Sequence, residues 1–223
     1  MSDAPRPWAG CGDDKKGEPA GAPFLFNSRS PTGLGNQLLV GRGMELRVRP
    51  LLVVLGLAAL AVVRTLSAYG LSALIKWPND VLVAGAKICG ILCETAGNDA
   101  AMVVGIGVNI NSSQGELADV GQPATSVLAQ TGREICPEGF LKKILDELAA
   151  LFDQFERLGL AAIIDPLRHY LAYKGERISL AVSDRIHDGR IVGLNEEGAL
   201  LFECERDGLL TVSSGEMSVR RPG

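Results

Sequence analysis

The longest apolar stretch of the chain predicts a helix that is buried on nearly all of its faces. Residues 51–68 are rich in leucine and alanine, and the breaker sequence AYG ends them. The most apolar part, PLLVVLGLAALAVV, is shorter than the roughly 20 residues that a membrane span needs, and an arginine flanks it on each side. We therefore predict a helix that lies against a sheet, and no membrane segment.

Short apolar runs after this helix predict an antiparallel meander of three strands. The run LSALIKW begins as a strand and is broken by Pro78. The runs VLV and KICGILCE then flank a turn at residues 84–86, and a second turn at residues 96–99 precedes AMVVGIGVNIN. Polar side chains at the ends of these strands are expected to lie close together, because neighbouring strands bring them side by side.

The next part of the chain predicts three helical segments. PATSVLAQTG has the pattern of a short helix with Thr125 or Ser126 as its N-cap. Residues 138–158 carry apolar side chains three and four positions apart, which predicts an amphipathic helix covering a core. An Asp-Pro pair then predicts one or two further helical turns within residues 165–173.

From residue 174 onward the pattern changes to short alternating strands. Turn signals about ten residues apart separate them, among them His187-Asp188-Gly189, which is typical of a small all-β barrel. We predict a mobile tail at residues 1–29, a larger domain at residues 30–173 and a C-terminal domain at residues 174–223.

Charge and cysteine usage exclude several classes of protein. The formal net charge is -4, with 22 basic and 26 acidic residues, so no nucleic-acid partner is expected. The five cysteines are scattered, without a CxxC pair, and the start of the chain has no secretory signal pattern, so we predict reduced thiols and a cytoplasmic location. No histidine lies near Cys89 and Cys93, and neither His169 nor His187 has an identifiable cysteine or carboxylate partner. We therefore predict no metal site.

Polar residues in the predicted meander are the candidates for chemistry. Burying Lys87 is costly unless an anion meets it, and Gly90 on the same strand lets another molecule approach the backbone. Asn79 and Asp80 stand where the preceding strand ends, and Asn109 lies on the third strand. Together they suit a nucleotide or a carboxylate. Each signal alone has a plainer interpretation: a solvated lysine, a turn, or a glycine that serves packing.

The order of these motifs resembles the catalytic module of the biotin protein ligases. The motifs are KWPND, a lysine eleven residues after its first lysine, GIL(x)E, GIGxNxN, and P(x)TS before a helix. The terminal strands, with SSGEMSVR, resemble the small SH3-like domain of that family. The resemblance covers about residues 49–221 and implies an α+β fold. In that fold a mixed sheet is backed by helices, as in lipoate ligases and class II tRNA synthetases, and a C-terminal barrel follows.

The resemblance also implies an activity. Such ligases join biotin to ATP as biotinyl-5′-AMP, with Mg²⁺ on the phosphates, and then transfer biotin to a lysine of a carboxyl-carrier domain. The roles implied are catalysis for Lys87 and Asp80, biotin binding for Lys87, Gly90 and Ile91, and nucleotide binding for Asn79 and Asn109. A homodimer is one assembly that the resemblance allows. A DNA-binding repressor is not expected, because no helix-turn-helix segment is recognisable ahead of the module.

The chain departs from the family ahead of KWPND. Biotin ligases carry a basic loop of the form GRGRxGR there, and the nearest remnant is Arg42 and Gly43. Alternatively, SPTGLGNQL at residues 30–38 aligns with the segment that follows this loop, and the loop is absent. Three functions therefore stay open: a biotin ligase, a degenerate ligase-like binding protein, and a lipoate or octanoate ligase. GIGVNIN and the C-terminal barrel favour biotin over lipoate.

Overall fold

A computed structural model gives the fold of most of the chain. Its backbone is described for residues 24–27, 36–42, 50–96, 101–118, 121–182, 185–214 and 216–218, and its side chains for residues 51–94, 103–118, 121–182 and 185–214. These parts form two β-sheets and five helices. The predicted turn at residues 96–99 lies almost entirely outside the described residues.

The larger sheet has six strands and contains the predicted meander. Its strands are β1 (Phe24–Asn27), β2 (Asn36–Arg42), β3 (Ala73–Lys76), β4 (Asp80–Val83), β5 (Ala86–Ala96) and β6 (Ala101–Val108). They lie in the order β1-β2-β6-β5-β4-β3, and every pairing between them is antiparallel. Among the described residues, parallel pairing occurs only as isolated bridges, so the sheet is antiparallel rather than mixed. The α+β class and the meander β4-β5-β6 are confirmed.

The apolar stretch forms the central helix, α1 (Pro50–Ala68), as predicted. It lies against β3 to β6 on one side and against two later helices on the other. By length and composition alone Leu51–Ala68 could cross a membrane, but 72% of it is buried inside the fold. A helix covered on several sides needs apolar residues all round, and this explains its composition.

Four further helices follow the meander. They are α2 (Gln114–Leu117), α3 (Val127–Thr131), α4 (Pro137–Leu158) and α5 (Ala161–Tyr170). Ser126 is the N-cap of α3, and its hydroxyl accepts a hydrogen bond from the N–H of Ala129. The helix α2 was not predicted, although Ser113 and Glu116 form a capping box whose S-x-x-E pattern is visible in the sequence.

The helix α5 begins before the position that the sequence predicted. Pro166 lies inside this helix rather than at its start, although a proline there removes a backbone donor. Ile163, Ile164 and Leu167 are buried from the same helix. Burying these three side chains offsets the lost hydrogen bond, and this tertiary effect is not visible in the local sequence.

The second sheet is built by the C-terminal strands. It contains β7 (Arg177–Val182), β8 (Arg185–Leu194), β9 (Leu200–Cys204), β10 (Gly208–Val212) and β11 (Glu216–Ser218), in the order β10-β9-β8-β7-β11. The predicted turn at His187-Asp188-Gly189 is wrong, because these residues lie within β8. Any side chain at Gly189 would collide with the carbonyl of Glu203, so this glycine permits two strands to approach closely.

The predicted tail at residues 1–29 contains a strand. Phe24–Asn27 forms β1, which pairs with β2 at the edge of the larger sheet. A chain lacking residues 1–29 should therefore melt about 2–4 °C below a chain lacking residues 1–23, the shift for ~1 kcal/mol at this size. Circular dichroism during heating measures both. Equal melting temperatures would mean that β1 adds no net stability.

Candidate active site

The side chain of Lys87 reaches Asp80, the first residue of β4, because the pairing of β4 with β5 contains a β-bulge. Asp80 pairs with Gly90, and Leu82 pairs with Lys87. The step from the first pair to the second is two residues on β4 but three residues on β5. The extra residue lets Ile88 and Cys89, which are consecutive, both be buried. It also turns Lys87 to the face that carries Asp80 and Gly90. Without the bulge, Lys87 would point to the opposite face of the sheet.

Two lysines share the carboxylate of Asp80. The Lys87 Nζ lies 2.7 Å from Asp80 Oδ1, and the Lys76 Nζ lies 3.8 Å from Asp80 Oδ2. The carboxylate is 13% exposed, and the side chains of Lys76 and Lys87 are 22% and 30% exposed. Two positive charges against one negative charge leave the cluster with a surplus of one positive charge. The cluster therefore attracts an anion that approaches from solvent.

Beside the Lys87 ammonium, Gly90, Gly105 and Gly107 leave part of the sheet surface without side chains, and we call this part the glycine floor. Gly90 pairs directly with Gly107 on β6, and Gly105 pairs with Leu92 two residues along β5, so these positions share one face. A Cβ atom on Gly90 would lie 3.1 Å from Lys87 Cε and 3.2 Å from Lys87 Nζ. The glycine therefore leaves room for the lysine and lets a ligand lie against the strands.

Two hydrogen bonds join Asn79 to the backbone of Ile91. The N–H of Ile91 donates to the carbonyl of Asn79 at 2.8 Å, and the Asn79 side-chain amide donates to the carbonyl of Ile91 at 2.9 Å. The Ile91 side chain is buried in the core. The Ile91 N–H is thus already used within the protein, and the expected contact of biotin with the backbone at Ile91 stays a prediction. Ile91 also fixes Asn79 beside Asp80.

Residues 123–125, just before α3, lie along Lys87. The sequence did not predict that they would lie at the site. The N–H of Lys87 donates to Pro123, and the N–H of Thr125 donates to the carbonyl of Lys87, both at 2.9 Å. The side-chain amide of Asn109 donates to the carbonyl of Thr125 at 3.0 Å. The P(x)TS motif is thus held against β5, and Asn109 is brought to the site by this connection.

The predicted loop remnant lies in a strand as far as it is described. Arg42 is the last residue of β2 and pairs with Met102, while Gly43 lies outside the described residues. The buried thiol of Cys89 lies under the site, and burial raises its pKa well above the ordinary value, with the charge of Asp80 adding to the rise. Cys89 is therefore a core residue and an unreactive thiol.

The KWPND motif also touches the second sheet. Trp77 is buried, and its indole N–H donates to the carbonyl of Gly198 at 3.1 Å. Gly198 lies in the turn between β8 and β9. The tryptophan therefore connects the strand end that carries the charged cluster to the C-terminal domain.

His187 has partners that the sequence did not predict. Its Nδ1 lies 3.1 Å from Asp207 Oδ2 and 3.8 Å from Cys204 Sγ. The expectation that it lacks a carboxylate or cysteine partner is wrong. The misplaced turn hid the cluster, because residues in a turn would not face those of a neighbouring strand.

Comparison with known proteins finds a matching family for each of two parts of the chain. Residues 39–111 match the biotin/lipoate A/B protein ligase family, and residues 174–220 match the biotin protein ligase C-terminal domain. The chain is 27% identical over 200 residues to the bifunctional ligase/repressor BirA of Bacillus spizizenii, covering 87% of this chain and 61% of that protein. It is 35% identical over 133 residues to a biotin--[acetyl-CoA-carboxylase] ligase of Paracoccus denitrificans, covering 57% of this chain and 55% of that protein.

Solved structures show the same architecture over most of the chain. The apo biotin protein ligase of Aquifex aeolicus superposes with a TM-score of 0.77 at 26% identity, covering 89% of this chain and 88% of that one. The same ligase in complex with biotin and ATP gives a TM-score of 0.74 at 25% identity, covering 89% of each chain. The chain spans 61% and 55% of the two relatives above, and nearly the whole length of the Aquifex ligase.

Proposed function

The chain belongs to the biotin protein ligase family, and from that premise we propose that it activates biotin with ATP and attaches it to a lysine of a carboxyl-carrier protein. The observation that carries this proposal is the Lys87 ammonium, held 2.7 Å from Asp80 above the bare backbone of Gly90. An ammonium on an open glycine floor suits the meeting of two anions.

In the first step, a carboxylate oxygen of biotin attacks the α-phosphorus of ATP. One P–O bond forms, the bond to the β-phosphate oxygen breaks, and pyrophosphate leaves without a net proton transfer. Lys87 lies between the two anions and offsets their charge as the new bond forms. Asp80 directs the ammonium toward the floor, so its part in catalysis is to position Lys87.

In the second step, the amine of the carrier lysine attacks the carbonyl carbon of biotinyl-5′-AMP. A C–N bond forms, the C–O bond to the phosphate breaks, AMP leaves, and the amine gives up a proton to solvent. No covalent enzyme intermediate is needed. The adenylate hydrolyses in water, so the site must exclude water while the carrier approaches.

Asn79 and Asn109 are proposed to hold the adenylate. Each carboxamide donates one hydrogen bond within the protein, to Ile91 and Thr125 respectively. Among the described residues, the second N–H and the Oδ1 of each amide remain for a ligand. Mg²⁺ is proposed to bind together with ATP, on its phosphates. There it offsets negative charge of the phosphates that exceeds the one surplus positive charge of the protein site.

The second candidate is a lipoate or octanoate ligase, since the family that matches residues 39–111 includes lipoate ligases. The biotin-type C-terminal domain at residues 174–220 favours biotin. Exchange of labelled pyrophosphate into ATP, measured with biotin, lipoate, octanoate or no acid, separates the candidates. Exchange with biotin alone supports the proposal, whereas exchange with lipoate or octanoate alone contradicts it. A folded chain that exchanges with none of them is a binding protein.

Location and assembly are finer parts of the proposal. Among the described cysteines, Cys89, Cys93 and Cys204 are free thiols, which supports the cytoplasm. The assembly that we propose is a homodimer. Light scattering after gel filtration measures the mass, and a monomer at micromolar concentration would contradict the dimer.

Gly90→Ala should reduce biotin-dependent exchange by about tenfold or more, with little change in melting temperature. The added methyl group lies too close to the tip of Lys87, and the flexible tip must move away from its position beside Asp80. Gly193→Ala is the matched control, because a Cβ there meets no atom within 4 Å. Unchanged exchange in Gly90→Ala would show that the position of the Lys87 tip does not matter.

A further inference from the structure

Three side chains of types that can bind metal ions meet at the C-terminal sheet, which carries none of the residues of the charged cluster. Asp207 Oδ2 lies 3.1 Å from His187 Nδ1 and 3.5 Å from Cys204 Sγ, and the last two atoms are 3.8 Å apart. Cys204 is buried, the His187 side chain is 16% exposed and the Asp207 side chain is 53% exposed. The cluster therefore reaches the surface on one side and is backed by the sheet on the other.

The strands bring the three residues together by their register. Cys204 at the end of β9 pairs with Gly189 on β8, two residues after His187 and on the same face. On its other side Cys204 pairs with Gly208, which has a φ of 73° and closes a turn of three residues. This turn folds Asp207 back over Cys204.

The distances match those around a tetrahedral metal ion. Zinc lies about 2.3 Å from sulfur and about 2.0–2.2 Å from nitrogen and oxygen, so two ligand atoms at a tetrahedral angle are about 3.4–3.6 Å apart. The three observed separations, 3.1, 3.5 and 3.8 Å, lie within about 0.3 Å of that range. An ion can thus bind all three atoms after shifts of a few tenths of an ångström.

The same geometry argues against a nucleophilic triad. In a triad the histidine meets the nucleophile with one ring nitrogen and the carboxylate with the other. Here Cys204 and Asp207 both meet Nδ1 of His187, and they also meet each other. The three atoms therefore form a closed triangle around one point, as the ligands of a metal ion do.

We propose that His187, Cys204 and Asp207 bind one zinc-class divalent metal ion, with water in the fourth position. Cysteine and histidine select such a metal over Mg²⁺ and Ca²⁺. On binding, the Cys204 thiol loses its proton to solvent, and the neutral imidazole binds through Nδ1 with its proton on Nε2. A thiolate and a carboxylate then balance the charge of the ion. The metal fastens the turn after β9 to β8, a role that does not depend on ligase activity.

Titration of the full chain, without a histidine tag, with Co²⁺ tests the proposal directly. One equivalent should produce the intense visible bands of a four-coordinate site and a near-ultraviolet band from thiolate to cobalt. Zn²⁺ should then displace Co²⁺ one for one. A chromophoric chelator in competition gives the Zn²⁺ affinity, and Asp207→Asn should lower it by about tenfold or more.

Matched variants separate this site from other thiols and histidines. Cys204→Ser should remove the thiolate band, and His187→Gln should abolish one-to-one binding, whereas Cys93→Ser and His169→Gln should bind as the unaltered chain does. Asp207 lies in an exposed turn, so its variant tests the site even if Cys204→Ser fails to fold, as judged by circular dichroism. A thiolate band that persists in folded Cys204→Ser, an unchanged affinity in Asp207→Asn, or no cobalt spectrum at all overturns the proposal.

Discussion

Replacing Lys87 with alanine should lower biotin-dependent pyrophosphate exchange by a factor of about 10²–10³, the usual loss when one group that stabilises a developing charge is removed. The ammonium is held 2.7 Å from Asp80 and is 30% exposed, so it is both fixed and accessible to the two anions. Labelled pyrophosphate exchange measures the loss. Stability should fall by about 1 kcal/mol or less, since the ion pair is partly in contact with solvent.

Lys76→Ala is the matched control for this prediction. Lys76 contacts the same carboxylate at 3.8 Å but lies on β3, two strands away from β5, which carries Lys87 and Gly90. Its removal should leave exchange within about tenfold of the unaltered chain, because the remaining cation is the one beside Gly90. Equal losses in both variants would mean that the net charge matters and the place of Lys87 does not. Normal exchange in Lys87→Ala would show that the assigned site is wrong.

The local pattern of the sequence was sufficient for the elements that surround the site. Residues 51–68 are apolar on nearly every face, which is typical of a helix covered on several sides, and they form α1. The two turn residues Ala84 and Gly85 both have positive φ, as a tight hairpin between β4 and β5 requires. These signals are contained within a few residues, so tertiary contacts did not alter them.

The errors arose where distant residues decide the local conformation. Gly189 looks like a turn residue, yet its lack of a side chain serves the close approach of β9. Pro166 looks like a helix start, yet α5 continues through it because its apolar side chains reach the core. In both cases the local signal was real, but packing against another element outweighed it.

The charged cluster was predicted only in part, because Lys76 was not expected to contact Asp80, and its geometry was not predicted. The sequence placed Lys87, Asp80 and Gly90 near one another through the order of the strands. It did not reveal the bulge at Ile88 that turns the lysine toward the carboxylate, because two consecutive apolar residues are common in buried strands. It also did not show that Asn79 is fixed by the backbone of Ile91. Such contacts depend on strand register, which side-chain pattern alone specifies only to within a residue or two.

Trp77→Ala should lower the free energy of unfolding by about 3–5 kcal/mol, the usual cost of deleting a buried aromatic side chain. Trp77 is 5% exposed and joins the end of β3 to the turn between β8 and β9 through Gly198. The variant loses both the packing and the hydrogen bond at the contact between the two sheets. Urea unfolding followed by far-ultraviolet circular dichroism measures the loss.

Two further variants divide this loss into its causes. Trp77→Phe keeps most of the ring but leaves the carbonyl of Gly198 without its donor, so it should cost about 1–3 kcal/mol. Leu74→Ala, three residues before Trp77 and 47% exposed, should change stability by no more than about 0.5 kcal/mol. If Trp77→Phe is as stable as the unaltered chain, the hydrogen bond to Gly198 contributes nothing. If it is destabilised as predicted, the tryptophan of KWPND joins the strand end that carries the charged cluster to the C-terminal domain, while its neighbours Lys76 and Asp80 carry the charge.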